Sequence, residues 1–179
     1  MFNLRCTKRL LDFLGVKPEP SPPAPTTILG DWYANLAPLQ SAGDMVIFAN
    51  ERSLLTVALP LSRDMGLHNI PALFLARVVN LFHMLEIPEA DRERELRHME
   101  EVRFAKTASR KVLGSLNDIC FHYDARVEYN YKGKPLSLSE IELDFAHMPH
   151  SNLSLVFPDK TARALLSAPS MPFGPIKVA

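Results

Sequence analysis

Between Lys106 and Val127 a polar cluster, Lys-Thr-Ala-Ser-Arg-Lys, gives way to apolar residues at helical spacing, and no other stretch constrains the fold as tightly. Ser109 or Thr107 can cap the helix, because a hydroxyl there satisfies amide donors that have no partner inside the helix. Beyond the cap, Leu113, Leu116, Cys120, Tyr123 and Val127 recur so as to commit one face to a core. A second face carries Arg110, Gly114, Asn117 and Phe121. An arginine and an asparagine on either side of a glycine make a surface that another backbone or a ligand can approach closely.

A helix running over 109–130 needs a second layer, and the first third of the chain supplies one. Residues 2–6 read as a short strand, Thr7 as the cap of a helix reaching Leu14, and Gly15 as its terminator. Residues 17–27 are too proline-rich for helix or central strand and form an extended connector, better suited to a stiff spacer than to a ligand for a partner domain. Asp31–Leu36, Met45–Ala49 and Ser53–Leu59 read as a β-meander, with turns at 41–44 and 50–52.

From Ala72 to Leu85 the chain is apolar on most sides, which predicts a central buried helix with Asn69 as cap, Pro71 in its first turn and Pro88 at its end. Glu89–Met99 predicts a charged helix whose ion pairs lie in solvent. A strand over 101–105, a turn at 132–135 and a helix over 138–147 follow. The expected class is α+β, a small antiparallel sheet packed against two or three main helices. Residues 1–150 form the expected single domain, and the prolines of 151–179 predict an irregular tail.

Composition bears mainly on partners. Lysine plus arginine equals aspartate plus glutamate, 20 against 20, so strong non-specific polyanion binding is not expected and any nucleic-acid contact must be local. The basic N-terminus precedes apolar residues, but Asp12 interrupts them, and no segment approaches the roughly 18 apolar residues of a membrane span. Cys6 and Cys120, far apart and outside any CxxC spacing, fit a reducing compartment better than a disulfide scaffold. A cytoplasmic protein without a membrane partner is the expectation.

The chemistry-bearing residues name no reaction. The chain has no glycine-rich phosphate loop, GxSxG elbow or HExxH pair, and neither a cofactor nor a metal is expected. Ser115, Asp118 and His122 share one side of the long helix, yet a single helix projects them in parallel, so with Lys111 they read as a polar seam. His147 and His150, near Asp144, lack an evident third metal ligand, and His83 reads as a core or boundary histidine.

Two candidate constellations remain. Arg52, Lys106, Ser109, Arg110, Asn117 and Asp118 would form a cationic, hydrogen-bonding pocket for a phosphate or carboxylate if the 50–52 turn and the helix start share one end of the sheet. Asp31, Trp32, Tyr33 and Asn35 could anchor a partner or stack on a base, and could equally staple the sheet edge to the core.

The blocks Leu4-Arg-Cys-Thr-Lys8 with Leu10-Leu11, Leu29-Gly-Asp-Trp-Tyr-Ala-Asn35, Asn50-Glu-Arg-Ser-Leu-Leu55 and Ser109-Arg-Lys-Val-Leu-Gly-Ser-Leu-Asn-Asp118 stand in the order of an uncharacterised bacterial family, a domain of unknown function, which the chain resembles over roughly residues 2–150. The resemblance implies a single domain and a bacterial or phage-like intracellular setting; a tie to mobile elements or defence is a separate expectation. It transfers no activity. Leu116 and Ser53 stand where the family pattern has methionine and threonine, both mild departures. The residues leave a non-catalytic binding or regulatory module, contacting a protein partner or local nucleic acid, against a small metal-independent nuclease or phosphotransfer enzyme such as a toxin-type ribonuclease. In the enzyme reading Lys106, Arg110 and a histidine would stabilise a phosphoryl transition state. The lack of an evident general base favours the binding module.

Overall fold

The computed structural model describes residues 1–61 and 69–168. In chain order its elements are β1 (Phe2–Cys6), α1 (Lys8–Leu14), β2 (Trp32–Leu39), β3 (Gly43–Asn50), β4 (Thr56–Pro60), α2 (Ile70–Met84), α3 (Glu89–Arg97), β5 (Val102–Lys106), α4 (Arg110–Tyr131), α5 (Leu138–Ala146) and α6 (Pro158–Ser167). The five strands form one sheet in the order β4-β3-β2-β1-β5. Class α+β is observed, and β2, β3 and β4 pair antiparallel as the meander requires. The sheet as a whole is mixed, because β1 pairs parallel with both β2 and β5.

Two cores follow from strand alternation, which sends successive side chains to opposite faces. Phe2, Leu4 and Cys6 of β1 and Trp32, Ala34 and Leu36 of β2 join a core with Leu10 and Leu11 of α1, Phe74, Val78 and Phe82 of α2, and Ala162 and Leu166 of α6. Tyr33, Ala37, Met45, Ile47 and Ala58 meet Leu116, Ile119, Tyr123 and Val127 of α4 and Ile141 and Phe145 of α5 on the other face. Helices therefore sandwich the sheet. No helix among the described residues is long and apolar enough to cross a membrane.

Several elements differ from the sequence expectation. In α4 the buried stripe is Leu116, Ile119, Tyr123 and Val127, with Leu113 and Cys120 half-buried at its margin. The helix α2 buries one face, and Leu73 is exposed; Asn69 precedes it without a side-chain cap bond, and Pro88 opens α3 instead of closing α2. Within the charged helix α3, Glu95 is fully buried and accepts from the amides of Ile28 (2.6 Å) and Leu29 (3.2 Å). The expected irregular tail contains α6, since Pro158 sits in the first turn, where a missing N–H costs nothing, and Leu166 and Ala162 reach the core. Residues 169–179 of that tail lie outside the described residues.

The edge strand β4 is closed by chemistry from a helix. Glu142 of α5, fully buried, accepts from the Ala58 amide (2.9 Å) and pairs with Arg77 of α2. An otherwise unpaired edge amide is thereby satisfied, and the edge is blunted against further strand pairing.

Candidate site at the carboxyl ends of β1 and β5

Strands β1 and β5 lie side by side and parallel, with Cys6 level with Lys106. Their chains then leave on opposite faces. Thr7 caps α1, whose Leu10 and Leu11 join the first core, whereas Ser109 caps α4, whose stripe joins the second. In open sheets, the crevice outside the carboxyl ends of adjacent parallel strands whose connections diverge in this way is where ligands bind.

A layered set of hydrogen bonds runs from the amino end of β2 toward this outlet. Asp31, 1% exposed, accepts from the Asn3 amide (2.8 Å), the Asn3 side chain and Arg5 Nε (2.7 Å). Arg5 also donates from Nη1 to the Lys106 carbonyl (3.3 Å), so its guanidinium reaches from the buried carboxylate toward the outlet. The Asp31 amide donates to Glu51 Oε1 (3.1 Å) while the Glu51 amide donates to the Asp31 carbonyl (3.0 Å). Burial pushes the Glu51 carboxyl above its ordinary range, and the neighbouring Asp31 charge adds to this against the opposing amide bond. Gly30 makes that approach feasible: its φ is +77°, and a Cβ there would lie 2.3 Å from Glu51 Oε1.

The start of α4 is tied to β2. Tyr33, buried, has its hydroxyl 3.0 Å from the Ser109 amide and accepts from it. Ser109 in turn accepts through Oγ from the Val112 amide (3.3 Å), the cap bond read from the sequence. One turn deeper, Thr7 Oγ1 donates to Asn35 Oδ1 (2.9 Å), and Asn35 Nδ2 reaches Asn117 Oδ1 (3.4 Å). Lys106 and Arg110 are exposed beside this network and enter no ion pair among the described residues. Cys120 sits at its inner edge, its thiol pushed up to about 11 by burial.

Of the candidate pocket residues, Ser109 and Asn117 are bonded to Tyr33 and Asn35 of the second constellation, and Lys106 and Arg110 stand exposed on either side of Ser109 along the chain. Arg52 does not join them. The 50–52 turn stands at the amino end of β2, where Arg52 donates to the Ile28 carbonyl (2.8 Å) beside Glu95. Trp32 is fully buried, edge-on to Phe74 at 5.1 Å, and offers no ring face for a base or partner. Asp31 is buried beneath Arg5, from whose Nε it accepts. Asp118 is exposed on the flank of α4 that faces the 150–152 segment.

That flank is the polar seam. Lys111 Nζ donates to the Asn152 carbonyl (3.1 Å) and Asn152 Nδ2 donates to Ser115 Oγ (3.0 Å), which brings His150 alongside Asp118 and His122. Among the described residues no group of three or more His, Cys, Asp or Glu is arranged to hold a metal ion. Arg5 and Glu51 were not singled out in the sequence. A lone arginine alternating with apolar residues in a predicted strand is the signal that marks Arg5, whereas nothing local distinguishes Glu51.

No curated protein and no solved structure matches the chain. Over residues 3–161 it matches the family described as a domain of unknown function, DUF6933, and it belongs to that family.

Proposed function

We propose that the chain is a non-catalytic binding module that takes an anionic group, a phosphate or carboxylate, at the carboxyl ends of β1 and β5. The observation that carries this reading is the placement of exposed Lys106 and Arg110, at the end of β5 and the start of α4, next to the strand end that bears Arg5, at a topological switch point. Lys106 and Arg110 are exposed, while the carboxylates of Asp31 and Glu51 are committed to backbone amides and to Arg5, and Glu19, alongside Ala105, is paired with Arg103. Such a site is built to hold negative charge.

Equilibrium dialysis with pyrophosphate tests the reading. The native chain should bind, and the Lys106→Ala, Arg110→Ala double variant should bind at least tenfold more weakly with an unchanged melting curve. Equal affinity in both proteins would contradict it.

A further inference from the structure

The exposed face of α4 continues outward from the anion site as a strip of unusual composition. Arg110, Gly114, Asn117 and Phe121 fall within about 60° of arc at ~100° per residue, over ~16 Å of helix. All four are exposed, and Phe121 is 73% exposed although it is a large aromatic. Gly114 stands between the arginine and the asparagine. A Cβ at Gly114 would meet nothing within 4 Å, so no neighbour in the fold requires a glycine there. Glycine in a helix interior destabilises it relative to any ordinary residue. Its presence leaves the strip flat between a cation and an aromatic ring.

The charge along the strip is polarised. Lys106, Arg110 and Lys111 lie at its start, exposed Asp118 flanks its middle on the side of Lys111, and Asp124, on the far side of Phe121, is held by the Gln40 amide (2.9 Å). Phe121 packs edge-to-face against His122 (5.6 Å between centroids), which steadies the ring without covering it. A ligand matching this order has negative charge at one end and a flat, stackable group at the other. It is also longer than a single nucleotide.

We propose that the ligand is a short single-stranded nucleic acid, with its phosphates on Lys106 and Arg110, its backbone crossing Gly114 and a base stacked on Phe121. This rests on the anion-site reading and adds the class of ligand. Base–aromatic stacking tolerates any sequence, because every base has a π face, and it requires an unpaired strand. The buried Trp32 cannot provide that platform, and Phe121 can.

Fluorescence anisotropy with a labelled single-stranded RNA of about six nucleotides tests the proposal. The native chain should bind it more tightly than a duplex of the same sequence, and Phe121→Ala should weaken binding about tenfold, with Phe121→Tyr restoring it. Gly114→Leu should raise the melting temperature and yet weaken binding, a combination that a merely structural glycine cannot produce. Equal binding of duplex and single strand, or indifference to Phe121→Ala, overturns the proposal. So does absence of RNA binding by protein that still binds pyrophosphate, an outcome that favours a protein partner on the same strip and leaves the anion-site reading standing. Failure to bind either RNA or pyrophosphate overturns both.

Discussion

The hydroxyl of Tyr33 accepts the backbone amide of Ser109 at 3.0 Å, so the second strand of the sheet holds the first residue of the longest helix's cap. This bond sets where α4 begins relative to Arg5 and Lys106, because Tyr33 is buried and cannot shift without disturbing the second core. Tyr33→Phe leaves that amide unpartnered at a half-buried site and should cost about 1 kcal/mol in urea denaturation. Ser109→Ala removes the cap bond itself and should cost a similar amount, about 1 kcal/mol. Both should also weaken pyrophosphate binding, whereas a purely structural role would lower stability alone.

Gly30→Ala should be more harmful than its conservative character implies. The backbone at φ +77° strains any L side chain, and the new methyl would collide with the Glu51 carboxylate. Glu51 would then release the Asp31 amide, loosening the carboxylate that orients Arg5. A loss of at least about 1 kcal/mol is expected, measured by chemical denaturation.

The two aromatic residues at issue should part company under the same substitution. Trp32→Ala empties a site packed against Phe74 and should cost roughly 3–5 kcal/mol. Phe121→Ala, on the open face of α4, should change stability by no more than about 0.5 kcal/mol. Thermal unfolding of the two variants separates them.

This contrast shows what the sequence could reveal. The α4 cap was legible because its hydrogen bond spans three residues, and the meander because alternation and turn residues are local signals. Parallel pairing of β1 with β5 joins residues about a hundred positions apart, and no local pattern encodes it. That pairing, more than any motif, creates the candidate site. Trp32 and Phe121 are equally aromatic in the sequence, and only strand register sends one into the core. Arg52 was correctly placed in a turn, but that turn lies before Trp32, whereas Lys106 is level with Ala34 two strands away, and Arg52 is held by the Ile28 carbonyl instead. Pro158 was read as a breaker because proline both ends helices and begins them, and the burial of Leu166 decides between the two.

Stability should depend on pH through His150. Burial holds its imidazole below the ordinary value, the His122 charge acts in the same sense, and Asp118 opposes them. Lys111 also faces this segment from α4 through Asn152. The folded-state pKa thus lies below the unfolded one, so the contribution is complete above pH about 6.5 and is lost as pH falls through the folded value. Glu51, Glu95 and Glu142, raised by burial, act oppositely: their contribution is complete below about pH 4.5 and is lost as pH rises through their folded values. His150→Gln should therefore lose less stability than the native chain between pH 7 and 5, with the glutamates affecting both proteins alike. An identical pH dependence would show that His150 does not titrate in its packed position.

The most direct test of the anion site is an amide NMR titration of the chain with pyrophosphate. Shifts should concentrate on Lys106–Asn117 and the Arg5 backbone, leave the 50–52 turn unmoved, and vanish in Arg110→Ala while the rest of the spectrum is preserved. Shifts centred on the 50–52 turn, or none at all at millimolar pyrophosphate, would contradict a binding site at the carboxyl ends of β1 and β5.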